Sequence, residues 1–245
     1  MTQGKLSRYL VYAIGEILLV VLGILIALKI NNWNETVKNK KQEVVLLKNL
    51  KYDFEQNMQR LQSGESYISQ RRDYIDQLLG YLRHLPEKID SAETVALLER
   101  ISMVHNFHPA MPTYQEMQGS GTLNLIKSIP LKNAIANYQT VLNSNEKIEI
   151  SHTPAFMEYA RRIANYMDEG IGEVNLTSDD YSAYNGINFD LEAMSKDEIL
   201  INLLKDLRNK TTTELRYKDE LLMTRMANIM TIINGQLKVS EDHLN

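Results

Sequence analysis

The stretch YLVYAIGEILLVVLGILIAL, from Tyr9 to Leu28, decides how the rest of this chain is arranged. It is about 20 residues long, which is what an α-helix needs to cross a hydrocarbon core of about 30 Å. From Ile17 to Leu28 no side of the helix carries a polar side chain, whereas a helix packed on a globular core keeps a polar stripe. We therefore predict a transmembrane helix over residues 9–30, preceded by a short basic tail at residues 1–8.

The residues that flank this stretch fit a retained membrane anchor. Tyr9 and Tyr12 stand at one end and Trp33 at the other, and such rings favour the membrane–water interface. A cleaved signal peptide is the alternative, but its apolar region is only about 7–15 residues long and ends in a small-residue cleavage site. Basic residues are almost equally frequent on the two sides, and a basic tail without acids favours the cytoplasm. We predict a single-pass protein of the inner (cytoplasmic) membrane with its soluble domain extracytoplasmic.

One face of the predicted span combines a charge with small residues. On a helical wheel of about 100° per residue, this face comprises Tyr12, Glu16, Val20, Gly23 and Ala27. The Gly23–Ala27 pair has the small-xxx-small spacing that lets two helices approach closely, and a charge within a span is costly and often functional. We predict that this face contacts another membrane protein or a second copy of the chain. The alternative is that Glu16 lies near the headgroups, hydrated or protonated.

Composition limits what the part beyond the anchor can be. The chain has 245 residues and a net charge of -4, and it has no basic tract beyond residues 38–41, which argues against nucleic acid as a partner. It has no cysteine, which excludes disulfides, thiol catalysis and cysteine metal sites. Only 5 prolines and 11 glycines, with 44% apolar residues, favour long helices over an all-β fold. We predict an all-α fold in which residues 31–245 form an antiparallel bundle with two long helices.

The first long helix of the bundle is predicted over about residues 36–84. It begins at Asn34 or Thr36, or else the span simply continues into it. Every seventh residue is apolar: Leu47, Phe54, Leu61, Ile68, Ile75 and Leu82. The second position of the repeat is held by Leu50, Leu78 and Leu85 and is interrupted at Asn57, Gly64 and Arg71. A two-stranded coiled coil tolerates such interruptions poorly, so the pattern favours a helix packed within a bundle.

The second long helix is predicted over about residues 195–237. Ser195 stands where an N-cap is expected, with Glu198 at the capping-box position. Its predicted buried side comprises Ile199, Leu203, Leu207, Leu221, Leu222, Met226, Ile229 and Ile233. Shorter helices lie between the two long ones, with Ser91 and Thr113 as predicted caps. Residues 168–194, which contain glycines, acids and aromatic side chains, are predicted to be a loop-rich insertion.

Several segments of the chain resemble one family of uncharacterised proteins. The segments around the anchor are Gly15–Val20, Gly23–Leu28 and Ile30–Glu35, and those of a second signature are Thr113–Met117 and Ser120–Ile126. They resemble domain-of-unknown-function family 6090, single-pass proteins of flavobacteria and relatives. That family usually reads Ser-Ser-Gly-Asn at residues 119–122 and Gln at Lys29. The resemblance implies a membrane protein with a helical domain and brings no known activity.

No motif in the sequence predicts an enzyme. A nucleophile elbow, a zincin helix and a dinucleotide fingerprint are all missing, so we predict no catalytic, cofactor-binding or metal-binding residue. His105 and His108 have a spacing that could ligate zinc on a helix. They stand beside Pro109 in a predicted loop, and no third ligand is evident. The remaining histidines are predicted to be isolated and exposed: His84, His152 and His243.

A glycine-containing turn is the candidate for a ligand or partner site. It comprises Tyr114, Glu116, Gly119, Ser120 and Gly121. Such a turn can offer backbone amides to an anion, although it lacks the lysine of a phosphate loop. The alternative is a turn that merely lets the following leucines reach the core. We predict a membrane-anchored helical scaffold or accessory module that acts through protein contacts. The alternative function is an extracytoplasmic small-molecule sensor, with its ligand near this turn.

Overall fold

The computed structural model describes the backbone of residues 3–168 and 187–242, with side chains for residues 14–168 and 187–240. The predicted all-α fold class is confirmed. The helices are α1 (Gln3–Arg83), α2 (Ser91–Ser102), α3 (Pro112–Ser120), α4 (Ile129–Ile163), α5 (Leu191–Ser195), α6 (Glu198–Arg216) and α7 (Thr224–Asp242). A 3₁₀ turn, Thr122–Leu125, follows α3, and a π-helical turn, Tyr217–Met223, joins α6 to α7.

The described residues form two compact units. The first unit comprises the chain up to Leu50, Pro112–Lys127 and the chain from Leu237 onward. The second unit comprises Lys51–Met111 and Ser128–Gln236. α1 therefore contributes to both units, whereas α3 belongs to the first and α4 to the second. The predicted boundaries at residues 8, 30 and 31 stay predictions.

α1 is one continuous helix through the region where a new helix could have begun. Thr36 does not cap a helix, because its Oγ1 donates to the carbonyl of Asn32 at 2.8 Å within α1. Among the described residues, α1 is the helix long and apolar enough to cross a membrane, with a mean hydropathy of 2.2 over its most apolar window. The helix ends at Arg83, so Leu85 lies beyond it and is 48% exposed instead of continuing the buried stripe.

The long helices of the second unit pack as predicted. Arg71 of α1 pairs with Glu214 of α6, and Asp76 of α1 pairs with Arg208. The partner number falls along α6 as the α1 number rises, so the two helices are antiparallel. The predicted apolar positions of α1 are buried, Leu47 in the first unit and the others in the second: Phe54, Leu61, Ile68, Ile75 and Leu82.

Aspartates cap two helices where serines were predicted. Asp90 caps α2 by accepting the N–H of Glu93 at 3.0 Å, so the prediction for Ser91 was wrong. Asp197 caps α6, and Ser195 lies at the end of the short α5 instead. A carboxylate satisfies the free N–H groups of the first turn and also interacts favourably with the positive end of the helix dipole.

The start of α6 differs from the predicted one, and the buried face of the helix differs with it. Ile199, predicted to be buried, is 62% exposed, and Leu200 and Leu204 lie in the core instead. The prediction of Thr113 as a cap was also wrong, because α3 begins at Pro112 and Thr113 already lies inside the helix.

The predicted loop-rich insertion at residues 168–194 is described only at its ends, because residues 169–186 lie outside the described residues. Met167 and Phe189 form an antiparallel bridge at the two ends. Beyond the bridge, α5 is helical where a loop was predicted.

Candidate functional site

The residues that interrupt the apolar repeat of α1 face the segment between α2 and α3. This segment, residues 103–111, has no regular secondary structure, and we call it the strap. Asn57 holds Ala110 of the strap through two hydrogen bonds. Its Nδ2 donates to the Ala110 carbonyl at 2.8 Å, and its Oδ1 accepts the Ala110 N–H at 3.0 Å. Gly64 faces the ring of His105, and a Cβ on Gly64 would come within 2.8 Å of the ring carbon Cδ2.

Two further charged side chains reach the strap from other helices. Lys218, in the π-helical turn, donates to the carbonyl of His105 at 3.1 Å and pairs with Glu149 of α4 at 2.9 Å. Glu149 in turn accepts the N–H of Phe107 at 3.2 Å. The backbone groups of an irregular segment need partners when they are buried, and here buried side chains supply them.

Arg71 is the centre of this polar cluster. Its side chain is 1% exposed; Nη1 donates to the carbonyl of Met103 at 2.9 Å, and Nη2 bonds to Glu214. The guanidinium carbon lies 4.3 Å from the ring centroid of Phe156, a cation–π contact. His152 lies with Nδ1 3.0 Å from the second oxygen of Glu214. The prediction that His152 is exposed was wrong, because its side chain is only 12% exposed.

The charges of the cluster pair with one another. Arg71 and Lys218 supply two positive charges, and Glu149 and Glu214 supply two negative ones. Burial by itself raises the pKa of Glu214, but the hydrogen bond from His152 and the charge of Arg71 outweigh burial and lower it. A balanced, bonded cluster of this kind holds the strap, and its charged groups already have partners within the protein.

A groove of about 350 Å³ lies in the first unit, between α1, α3 and the 3₁₀ turn. Its lining residues are Lys41, Gln42, Val45, Leu46, Glu116, Ser120, Thr122 and Leu125. Glu116 and Ser120 of the predicted turn are therefore at the groove, whereas Tyr114, Gly119 and Gly121 are not part of its lining. Gly121 ends α3 with a φ of 72°, a left-handed conformation that glycine adopts without strain.

The α1 wall of the groove was not predicted from the sequence. Lys41 was assigned to a basic cluster, and Val45 and Leu46 lie outside the seven-residue repeat. Val45 and Leu46 are apolar residues directly before Leu47 of that repeat, and this is the signal in the sequence that could have pointed to a second apolar face. The two walls come from segments at least 70 residues apart in the sequence, and such a separation leaves no local pattern, so the pairing of the two walls needed the structure.

The predicted interaction face of the span lies on the open surface of α1. Glu16, Val20, Gly23 and Ala27 are exposed, and a Cβ on Gly23 would meet no described atom within 4 Å. The side chain of Tyr12 lies outside the described residues. The close approach that the small residues permit is therefore available to a partner helix.

Comparison with known protein families decides the affiliation of the chain. The family of unknown function DUF6090 matches residues 16–145, more than half of the sequence. This chain belongs to that family. The DUF6090 match includes the groove and both walls that line it, and it ends within α4, before Glu149 of the buried cluster. No curated protein and no solved structure matches the chain.

Proposed function

We propose that this DUF6090 protein is a single-pass membrane protein whose helical part acts through contacts with other proteins. The observation that carries the proposal is the exposure of the apolar stretch of α1. Its large apolar side chains from Ile14 to Ile30 are between 45% and 74% exposed. Burying apolar surface contributes about 25 cal/mol per Å², and soluble monomers rarely expose large contiguous apolar patches. A lipid bilayer offers that burial, and a helix satisfies its own backbone there.

Extraction at alkaline pH tests the membrane assignment. Carbonate strips peripheral proteins from membranes but leaves spanning proteins in the pellet. The intact chain is expected in the pellet and in the detergent-soluble fraction. Its release into the carbonate supernatant would overturn the assignment.

The proposed orientation places the helical part on the extracytoplasmic side of the inner membrane. The basic tail without acids at residues 1–8 supports this orientation. Because the chain has no cysteine, a single Gln62→Cys change introduces one exposed thiol. A membrane-impermeant maleimide should label it in spheroplasts without lysis. Labelling that needs lysis would reverse the orientation.

The proposed partner surface is the face with Glu16, Val20, Gly23 and Ala27. A photocrosslinking residue at Val20 is expected to capture another membrane protein or a second copy of the chain. Leu25 lies about 140° away from Val20 on the helical wheel and serves as the matched control. Equal yields at the two positions would show that this face has no specific partner. The Glu16→Leu change is expected to alter the captured complex.

A second candidate function, binding of a small molecule, is favoured by the groove of the first unit. A volume of about 350 Å³ lies within the usual range for ligand sites, about 300–1,000 Å³. Filling it by Val45→Trp is expected to abolish ligand-induced stabilisation and to leave carbonate extraction unchanged. Stabilisation that survives Val45→Trp would place the ligand elsewhere.

A further inference from the structure

The groove of the first unit has two charged walls of opposite sign around an apolar floor. Lys41 belongs to the α1 wall and Glu116 to the α3 wall. The floor is formed by Val45, Leu46 and Leu125. No described residue forms an ion pair with either Lys41 or Glu116. Both charges are therefore available to a ligand that enters the groove.

The hydroxyl groups beside Glu116 make its wall an acceptor surface. Ser120 Oγ donates its hydrogen to the carbonyl of Glu116 at 2.7 Å. Ser120 and Thr122 oxygens are 2.8 Å apart, so Thr122 must donate to Ser120, whose hydrogen is already used. The remaining lone pairs of Thr122 can only accept. The end of α3 at Ser120 adds the partial negative charge of a helix C-terminus. This wall therefore favours a cationic donor.

The position and size of the groove indicate what kind of molecule can fill it. Lys41 lies about 11 residues beyond Ile30, which is roughly 16 Å along α1 at 1.5 Å per residue. The headgroup layer on each side of a bilayer is only about 5–7 Å thick. A lipid that stays in the bilayer does not reach the groove, so the ligand comes from the aqueous phase. At about 350 Å³ the groove lies at the small end of ligand sites.

We propose that the groove binds a small zwitterion with an apolar body, of the class of free apolar amino acids. The carboxylate lies on Lys41, the ammonium on Glu116 and Thr122, and the apolar side chain on the floor. Gln42 can donate to the carboxylate or accept from the ammonium. This inference rests on the second candidate function above and names its ligand class.

Binding by the full-length protein in nanodiscs tests the proposal. Calorimetry is carried out with L-leucine and L-phenylalanine and with two analogues of leucine that each lack one charge. 4-Methylpentanoate lacks the ammonium, and 3-methylbutylamine lacks the carboxylate. Charge-assisted hydrogen bonds are about twice as strong as neutral ones, so each analogue is expected to bind about tenfold or more weakly than leucine.

Variants assign each charge of the ligand to one wall. Lys41→Gln is expected to weaken leucine about tenfold and to remove its advantage over 3-methylbutylamine. Glu116→Gln should remove its advantage over 4-methylpentanoate. The matched controls, Lys38→Gln and Glu35→Gln, change exposed charges of α1 outside the groove and should leave binding unchanged.

Each outcome has a defined meaning. Analogues that bind as tightly as leucine would overturn the zwitterion proposal and leave a small-molecule groove standing. If neither amino acid binds at millimolar concentration, the zwitterion proposal is overturned. If the two analogues also fail to bind, the second candidate function is overturned as well. Binding that Lys41→Gln and Glu116→Gln leave unchanged would also overturn it. Membrane anchoring is judged separately, by carbonate extraction.

Discussion

Gly64 is a position of α1 at which a side chain would clash with a neighbouring ring. A Cβ there would come within 2.8 Å of Cδ2 of His105, whose ring also packs on Tyr67 at a centroid distance of 5.8 Å. We expect Gly64→Ala to destabilise the protein by about 1–3 kcal/mol through overpacking, although alanine favours a helix by about 1 kcal/mol over glycine. Urea unfolding measures the difference.

Gly80 is the matched control for Gly64. It lies in the same helix, and a Cβ there meets no described atom within 4 Å. Gly80→Ala should therefore stabilise the protein by about 0.5–1 kcal/mol. The double variant Gly64→Ala with His105→Ala should recover stability relative to the sum of the single changes. Strict additivity would show that the two residues do not meet.

Arg71 forms a buried ion pair and Arg208 an exposed one, so variants of the two residues compare the stability contributions of the two kinds of pair. Arg71 is 1% exposed and bonds to Glu214, whereas the side chains of Arg208 and Asp76 are nearly half exposed. Arg71→Met leaves the Glu214 carboxylate buried without its guanidinium and should cost about 3–5 kcal/mol. Arg208→Met should cost less than about 1 kcal/mol. Equal losses of unfolding free energy would contradict the assigned role of Arg71.

We expect His105 to make stability depend on pH. Burial lowers its pKa from the ordinary value of 6.5, and the charges of Lys218 and Arg71 lower it further, against the opposing effect of Glu149 and Glu214. As pH falls, the unfolded chain then takes up a proton on this histidine before the folded one, so the contribution of His105 to stability is fully present above about pH 6.5 and is lost as pH falls toward the folded pKa. Thermal unfolding from about pH 8 to about pH 5.5 should show a shallower slope in His105→Gln than in the His84→Gln control. Identical slopes would refute the contribution.

At the residue scale, the sequence predicted which side chains depart from the apolar pattern, but it did not predict which groups those side chains contact. Asn57, Gly64 and Arg71 stood out because they break the apolar repeat, but each acts on a strap whose position depends on distant helices. His152 carried no local signal, because its partner Glu214 lies 62 residues away in the chain. The caps of α2 and α6 were missed by one or two residues, since serine and aspartate are both good N-caps and lie one and two residues apart at these two helix starts.

The strap is held by hydrogen bonds from side chains to its backbone. Asn57 bonds both the N–H and the carbonyl of Ala110. Asn57→Ala removes both bonds and should raise the hydrogen-exchange rate of the Ala110 amide through local opening. Amides of α4 should be unaffected. Ser63→Ala, which removes an exposed hydroxyl bond to Gln59 within α1, should leave the strap amides unchanged. A strap that stays protected in Asn57→Ala would show that other contacts hold it.

The π-helical turn explains how α6 and α7 keep one buried face. The buried positions Glu214, Lys218, Leu222 and Met226 follow one another in steps of four. Three such steps would rotate the face by about 120° on a regular α-helix, and the wider turn at Tyr217–Met223 absorbs this drift. Periodicity therefore predicted one long helix, but a regular period skipped the polar positions between Leu207 and Leu221. Those positions supply Glu214 and Lys218 to the cluster.

At the scale of the whole molecule, the sequence predicted the all-α class and the two long antiparallel helices, because apolar periodicity acts over many residues and survives local errors. The predicted turn contributed Glu116 and Ser120 to the groove. Lys41 and Val45, which face them, could not be predicted, since pairing of walls from distant segments is a property of the tertiary fold. Contact between segments that are distant in the sequence leaves no periodic pattern of residues by which it could be predicted.

Leu22, near the middle of the exposed apolar stretch, distinguishes a membrane anchor from a helix that stays in water. Its side chain is 56% exposed, so Leu22→Lys would be harmless in water and would improve solubility. In a bilayer, a lysine at the centre of a span costs about 2.5–3.5 kcal/mol on insertion scales. We expect Leu22→Lys to reduce the carbonate-resistant fraction, and Val45→Lys, an equally exposed change on the same helix beyond the span, to leave it unchanged. An undiminished pellet for Leu22→Lys would mean that bilayer burial does not hold this stretch.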